Sequence, residues 1–380
     1  MDISNAVCTN YVARFTGDRG DSDKSLKPDI TFFSKNSTAD PQEVSDEASQ
    51  ATSFVQMELF VELKHDMQYD PFHDLPNGEM KERDSISGDN TRGQCISYAA
   101  NQLAYQHRLF AFSLVVCGKK ARFIRWDREG AIVSAGVDCS QRQDIVIEFL
   151  QRFNRLTAEQ RGLDPTAVFA TPEEARMLES AAGKVEIESL RHSIGDQKIY
   201  PRFRLEVRDA KGSVLNYVVG KAFNYSFGVV GRCTRGFLAL DLDTKECVFL
   251  KDMWRIDAPG IEPEHIWYEK LVKAKVPHLV RFKHASDVVS PTPSPNYYGT
   301  IALDSTEMTS ESGVQRGLTS RLVCLFPSGN TKPQAHVHYR LVQSEICRLL
   351  SKFTNSRDLV SVVLDSLKGE NERIIFQLSH

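Results

Sequence analysis

Apolar runs separated by polar stretches predict a series of strands and helices along the chain. In the first half, the runs within LKPDITFF, FVQMELFVELKHD and LFAFSLVV are typical of strands, and the segment RGQCISYAANQLAYQ has a helical period. In the second half, IYPRFRLEVRD, SVLNYVVGKAF, GFLALDLD and CVFLK predict four successive strands. The pattern therefore predicts an α+β protein whose character changes near residue 195.

Helices and polar loops complete the predicted organisation. Helices are expected at about 142–157, 172–183 and 263–274, with a strand near HVHYRLV and further helices towards the end. The segments 35–53 and 285–335 are rich in Ser, Thr, Pro and Asp, and we expect both to be long, mobile loops. We predict two domains, 1–195 and 196–380, the second carrying a flexible insert at about 285–335.

Composition and charge narrow the class of protein. The net charge of −3 gives no overall attraction to nucleic acid or to a membrane surface. The start MDISNAVCTNYVARF lacks the apolar stretch of a signal peptide, and the run LFAFSLVVC is too short to span a bilayer. The eight cysteines are scattered without a CxxC pair, as is typical of reduced thiols. We expect a soluble protein of the cytoplasm or nucleus.

The first domain carries a constellation of acidic and basic residues on neighbouring strands. Asp29 follows Pro28 at the head of one apolar strand, and period-2 alternation places Glu62 and Lys64 on the same face of the next. Gln94, with Tyr98 and Gln102 at four-residue intervals, marks one face of the helix that follows. The alternative interpretation is a solvated Glu–Lys pair beside an ordinary Pro-Asp turn.

This order of residues resembles the restriction-endonuclease-like fold. The resemblance implies that Asp29 and Glu62 hold a divalent metal ion and that Lys64 helps to position the attacking water. The chemistry is consistent, because hard carboxylate oxygens suit Mg²⁺ and the metal ion generates the nucleophile. The acidic chain has no basic stripe that would hold a polyanion, which argues against nucleic acid as a partner.

A longer series of motifs resembles the fungal-type protein kinase family over roughly residues 27–368. In that family a GQ…YA helix leads to ARF.RWDR.G and an FL.RF helix, as GQCISYAANQ, ARFIRWDREG and EFLQRFNRLT do here. The second half agrees in order, with VVGRCTRGFLALD, VFLKDMWR, EHIWYEKLVKAKVPHLV, VHYRLV and LLSKFTNSRDLVSVVLDSL. The resemblance implies an endonuclease-like α/β domain followed by a kinase-like N-lobe of mostly antiparallel sheet and one helix, and the first helices of an incomplete C-lobe.

The resemblance to a kinase implies roles for particular residues. Lys251 corresponds to the strand lysine that contacts ATP phosphates, and Glu264 is the preferred helix glutamate to pair with it, with Glu262 and Glu269 as alternatives. Trp267, Tyr268 and Leu271 would then face the sheet. The family's reaction uses ATP and Mg²⁺ and a protein substrate.

A phosphate loop is the next element that the resemblance implies. Gly228, Gly231 and Gly236 lie in the right interval before Lys251, although their spacing is not G-x-G-x-x-G. Arg232 and Arg235 beside them either bind phosphate or form a solvated turn. The three glycines are therefore the candidate ATP-binding residues alongside Lys251.

Phosphoryl transfer also needs an H-R-D-x-x-x-x-N loop and a D-F-G-like motif, and neither follows Lys251 in this sequence. We therefore expect a truncated kinase that does not phosphorylate efficiently. The alternative function is a metal-dependent nuclease or nucleic-acid-binding activity of the first domain. An uncovered lobe would expose the apolar side of the predicted helix Ser356–Leu367, from which we expect self-association.

Overall fold

The computed structural model describes residues 7–17, 26–35, 52–290, 313–319, 333–347, 353, 355–357 and 359–365. These residues form a mixed α+β structure with two compact units. The first unit comprises the described residues of Met1–Pro165, Ser226–Cys233 and Ser290–His336. The second comprises those of Thr166–Tyr225, Thr234–Val289 and Val337–His380.

The first unit is built on a mixed seven-stranded sheet. The strands and helices of this unit are β1 (Tyr11–Phe15), β2 (Ile30–Ser34), β3 (Met57–Lys64), β4 (Phe72–Asp74), β5 (Met80–Glu82), α1 (Ile86–Tyr105), β6 (Phe110–Cys117), β7 (Lys120–Asp127), β8 (Gly130–Val133), β9 (Val137–Asp138) and α2 (Gln143–Arg155). The sheet order is β1-β2-β3-β6-β7-β8 with β9 beside β7, and β4 and β5 form a separate hairpin. Among the described strands of this sheet only β3 and β6 pair in parallel, because α1 carries the chain back between them.

The central strand β3 is buried because helices cover both faces of the sheet. Phe60 packs in the same apolar cluster as Tyr98 of α1, whereas Leu59 and Val61 pack with Phe153 of α2. The buried amide of Gln102 donates to two carbonyls of β3, from Met57 and Glu58, at 3.1 and 3.2 Å. The helical period of α1 therefore reflects its docking on β3.

The second unit is built on an eight-stranded sheet. Its elements are β10 (Ala167–Phe169), α3 (Pro172–Ala182), α4 (Glu188–Arg191), β11 (Phe203–Arg208), β12 (Val214–Val219), β13 (Asn224–Tyr225), β14 (Arg235–Asp241), β15 (Cys247–Ile256), α5 (Glu264–Lys273), β16 (Phe282–Asp287) and β17 (His336–Gln343). The order is β10-β11-β12-β14-β15-β17-β16, with β13 beside β14. Antiparallel pairing joins β11, β12, β14 and β15 in turn.

Residues 166–195 pack within the second unit, so the compact units divide the chain nearer residue 165 than the predicted 195. The reason is that β10 pairs with β11 and that Leu178 of α3 packs on Val218 and Leu238 of the sheet. A capping box between Thr171 and Glu174 begins α3.

The strands and helices agree with the pattern of apolar residues, and several short strands were not predicted. These are β1, the hairpin of β4 and β5, β10 and β16, each of which is at most six residues long. The hairpin is held by Asp70 and Asp74, whose carboxylates accept hydrogen bonds from the buried guanidinium of Arg122. The predicted loops at 35–53 and 285–335 lie largely outside the described residues, as does the end of the predicted helix Ser356–Leu367. No helix among the described residues is long and apolar enough to cross a membrane.

Candidate functional site

Lys251 and Glu264 form an ion pair in the second unit. Lys251 lies on β15, and Glu264 is the first residue of α5. The Nζ atom of Lys251 donates to both carboxylate oxygens of Glu264, at 2.9 and 2.7 Å. Both side chains keep about a fifth to a quarter of their surface exposed, at 20% and 24%. The lysine is therefore fixed in direction and still reachable from solvent.

The other two candidate glutamates do not take this place. Glu262 accepts from Lys270 at 2.5 Å instead, on the exposed side of α5. Leu271 is buried and Tyr268 half-buried, as the helical period predicts, but Trp267 is 43% exposed and has Lys270 over its ring. The face of α5 that meets the sheet is therefore narrower than the sequence indicates.

A buried charge cluster lies on the opposite face of β15. Asp252 accepts from Arg235 at 3.2 Å, from His338 at 3.0 Å and from Arg340 at 3.1 Å. Burial alone would raise the pKa of Asp252, but the charges of Arg235, His338 and Arg340 outweigh it and hold that pKa well below its usual value. The ring of His338 also stacks on Trp254, 4.9 Å between centroids.

This cluster was missed by the sequence reasoning, which considered Arg235 only as a phosphate ligand or part of a solvated turn. Arg235 is neither, since it is buried on β14 directly opposite Asp252. One signal was available: alternation along VFLKDMWR places Asp252 on the buried side with Leu250 and Trp254. A carboxylate at such a position needs buried cations as partners.

The three candidate glycines are divided between the units. Gly236 pairs across the sheet with Lys251, and a Cβ atom there would lie 2.4 Å from Asn224 Oδ1 and 3.0 Å from the Phe249 ring. Gly228 and Gly231 belong to the first unit. Close packing within the sheet therefore accounts for glycine at position 236.

The predicted acidic and basic residues of the first domain also come together. Glu62 is 2% exposed, and its Oε1 accepts from Lys64 Nζ at 2.5 Å. Asp29 Oδ2 accepts from the backbone N–H of Leu63 at 2.7 Å. Asp29 is held there because Thr16, at the end of the unpredicted β1, donates its N–H to the Asp29 carbonyl and its hydroxyl to the Pro28 carbonyl.

Glu62 is an unusual carboxylate because its second oxygen, Oε2, is buried and has no hydrogen-bond partner among the described residues. Burial raises the pKa of Glu62 to about 7; the hydrogen bond from Lys64 opposes this rise, and the nearby Asp29 carboxylate adds to it. Burial also raises the pKa of Tyr98, and the carboxylates of Glu62 and Asp29 add to this rise. The Tyr98 hydroxyl donates to the Lys27 carbonyl at 3.2 Å. Gln94 is exposed on α1.

Asp29 and Glu62 fit a divalent metal ion in part. A buried carboxylate oxygen without a partner, beside a second carboxylate, is a donor set that a hard divalent cation accepts. Within the described residues, however, no group of three or more His, Cys, Asp or Glu side chains is placed to hold a metal ion. Asp29 and Glu62 therefore offer two protein ligands, and water would have to complete the coordination shell.

Comparison with known proteins agrees with the sequence motifs. The family model described as fungal protein kinase matches residues 27–374, nearly the whole chain, and confirms the resemblance. No curated protein and no solved structure matches the chain.

Proposed function

The chain belongs to the fungal protein kinase family, and on this basis we propose that its second unit binds the phosphates of ATP through Lys251. The observation that carries the proposal is the ion pair of Lys251 with Glu264. In protein kinases a lysine on the third strand contacts the phosphates and a glutamate on the next helix holds it in place. Membership of the family implies that such a site binds ATP together with Mg²⁺.

The order of elements around Lys251 supports the assignment of a kinase-like N-lobe. Strands β12, β14 and β15 are adjacent, α5 follows β15, and β16 and β17 then extend the same sheet. Lys251 therefore lies on a strand in the middle of the sheet and Glu264 on the helix after that strand, the order that the lysine and the glutamate have in protein kinases. A carboxylate that accepts from the ammonium group holds it in a fixed direction, in which it can also donate to phosphate oxygens.

We propose further that the 380 residues bind nucleotide without transferring phosphate. Phosphoryl transfer depends on a base and on metal-ligand residues that stabilise the charge of the transition state. No residues after Lys251 form an H-R-D or D-F-G motif. With Lys251 as the principal phosphate contact, we expect an affinity for ATP in the millimolar range or weaker.

The test measures ATP binding to the full chain by ligand-observed NMR at millimolar ATP. Lys251→Met should weaken binding by about tenfold or more, because a charged hydrogen bond contributes roughly 1.5–3 kcal/mol. Lys270→Met is the matched control, since Lys270 lies on the exposed side of α5 and pairs with Glu262. Equal binding by the wild type and Lys251→Met would refute the proposal.

A second candidate function is metal-dependent cleavage of a phosphodiester by the first unit, and the buried oxygen of Glu62 without a partner favours it. The antiparallel β2 and β3, the helix α1 and the parallel β6 support an endonuclease-like core. Asp29 and Glu62 would hold a divalent ion, which when bound would supply an activated water. Lys64, 2.5 Å from Glu62, would donate a hydrogen bond to that water or to a phosphate oxygen.

Cleavage of DNA and RNA with Mg²⁺ or Mn²⁺ tests this second candidate on the full chain. Glu62→Gln keeps the shape of the side chain and removes its charge, so any true cleavage should disappear. Glu79→Gln, at an exposed position of the β4–β5 turn, is the control. We expect cleavage to be weak, because the net charge of −3 gives little attraction to a polyanion. Cleavage that persists in Glu62→Gln would exclude this site as its source.

A further inference from the structure

The first turn of α5 begins without the side-chain cap that α1 and α3 have. Ser85 accepts from an N–H group of α1, and Thr171 does the same at the start of α3. The residue before α5 is Pro263, whose side chain accepts no hydrogen bond. The first N–H groups of a helix have no partner within the helix, so they need an acceptor from elsewhere. Glu264 lies in this first turn, and its contact with Lys251 therefore depends on how the turn is held.

Tyr339 of β17 supplies an acceptor for this turn. Its hydroxyl oxygen accepts from the backbone N–H of His265 at 3.1 Å and lies 3.0 Å from Nδ1 of the same residue. The two rings stack, with 6.0 Å between centroids and 15° between planes. Burial lowers the pKa of His265, so its ring is neutral at pH 7 and Nδ1 can accept the hydroxyl proton. One hydroxyl group can therefore accept from the main chain of His265 and donate to its side chain.

The strand that carries this hydroxyl contacts α5 at further points. Tyr339 is completely buried and packs in the apolar cluster of Met253 and Leu341, within the second unit. One turn along α5, the Tyr268 hydroxyl accepts from Gln343 of the same strand at 2.6 Å. Loss of the Tyr339 hydroxyl alone would leave these contacts in place. Its effect should therefore be confined to the first turn of α5.

We infer that Tyr339 is a positioning residue for the phosphate-binding lysine, because its hydroxyl caps the first turn of α5 and so holds Glu264 against Lys251. The inference rests on the proposed function of Lys251 and names the residue that keeps its ion pair in place. Loss of a typical helix cap shifts the equilibrium of the first turn by about fivefold. Apparent affinity for a ligand falls with the fraction of molecules in the binding arrangement, so removal of the hydroxyl should lower the affinity for ATP by up to about fivefold.

Three variants separate the hydroxyl from the ring that carries it. Tyr339→Phe removes the hydroxyl and keeps the ring in its apolar cluster. Tyr217→Phe is the matched control, because Tyr217 is also completely buried in the sheet of the second unit but its hydroxyl has no partner among the described residues. Glu264→Gln gives the full effect of losing the carboxylate. Combining it with Tyr339→Phe tests whether Tyr339 acts through Glu264, since residues that act through one contact are not additive.

Three measurements on the full chain follow the steps of the argument. Hydrogen exchange of the His265 amide reports the cap. Acylation of Lys251 by an amine-reactive ester, read by mass spectrometry, reports the ion pair, because the free amine is the nucleophile and the paired ammonium is not. Lys283 is the internal standard, since it pairs with Asp241 at 2.6 Å and is 22% exposed, against 20% for Lys251. Ligand-observed NMR reports the affinity for ATP.

In Tyr339→Phe we expect exchange at His265 to be faster by about fivefold. Acylation of Lys251 should be faster than in the wild type and ATP binding weaker, with acylation of Lys283 unchanged. Tyr217→Phe should equal the wild type in all three measurements. A change at Lys251 without a change at Lys283 is a readout that general loosening of the unit does not produce.

In the Glu264→Gln background, Tyr339→Phe should add nothing to the acylation of Lys251. An increase of the same size in that background would overturn the inference, as would unchanged acylation of Lys251 in Tyr339→Phe or an equal increase at Lys283. Faster acylation with unchanged ATP affinity would overturn the claim that the hydroxyl serves phosphate binding. Absence of ATP binding in every variant, the wild type included, would remove the proposed function, while acylation would still decide whether Tyr339 holds the ion pair.

Discussion

Replacement of Asp252 by asparagine removes the carboxylate that Arg235, His338 and Arg340 share in a buried cluster. Asp252 is 1% exposed, and Arg235, His338 and Arg340 all donate to it. Arg340 is completely buried, so water cannot take the place of the carboxylate. Asparagine has nearly the same shape, so the loss of charge is the main change.

The expected loss of stability is about 3–5 kcal/mol, because removal of one partner of a buried ion pair is strongly destabilising. Arg340 keeps some of its contacts, to the Thr166 hydroxyl at 2.8 Å and to the Glu206 carbonyl at 2.8 Å. These contacts satisfy N–H groups but do not neutralise the charge. Since a domain is stable by roughly 5–15 kcal/mol, the variant should have lost a large share of its stability.

Urea unfolding at pH 7, combined with hydrogen exchange of β14, β15 and β17, measures this loss and locates it. Glu262→Gln, which breaks the exposed pair with Lys270, is the control and should cost no more than about 0.5 kcal/mol. A loss in Asp252→Asn no larger than that of the control would refute the claim that Asp252 neutralises the cluster. So would a loss confined to strands of the first unit.

The pH dependence gives a second check on the same residue. The pKa of Asp252 is held well below its usual value in the folded chain, whereas it is about 3.9 in an unfolded one. The folded state therefore binds the proton less tightly, and the contribution of Asp252 is present above pH ~4 and lost as the pH falls below it. The stabilities of the wild type and Asp252→Asn should converge in acid.

Three further outcomes are expected. The 380-residue chain should transfer no radiolabel from ATP to itself, and transfer that Lys251→Met abolishes would contradict this. Gly236→Ala should destabilise the second unit by about 1–3 kcal/mol in thermal unfolding, because its Cβ would overlap Asn224 Oδ1, 2.4 Å away; an unchanged midpoint would show that the strand can shift. Val360 and Leu364 are 63% and 50% exposed on the helix of residues 359–365, so the sedimentation coefficient should rise with concentration, and Leu364→Asp should reduce that rise.

Local periodicity was sufficient to predict β3, β6, α1, α3 and α5, since each of these elements buries one face or both along its own length. It also favoured Glu264 over its neighbours as the partner of Lys251, because Trp267, Tyr268 and Leu271 follow Glu264 at helical spacing. It failed for β1 and the hairpin of β4 and β5. The hairpin depends on hydrogen bonds between distant residues, such as those of Asp70 and Asp74 with Arg122. Strand β1 has only five residues, and its Tyr11 packs on Phe153, which lies far along the chain.

The two most informative contacts in the molecule were beyond the reach of local patterns. Asp252 meets Arg340, which is 88 positions later, and Arg128 meets Gly228, which is 100 positions later. Alternation can show that a charge is buried, but it does not say which cations surround it. Likewise, three glycines before a strand lysine indicate a phosphate loop equally well whether the loop is free or docked. Hydrogen bonds from Arg128 to the carbonyls of Gly228 and Leu103 join residues 226–233 to the rest of the first unit. The spacing of the glycines therefore does not predict that the segment packs within the first unit, because its contacts there come from residues about 100 positions earlier.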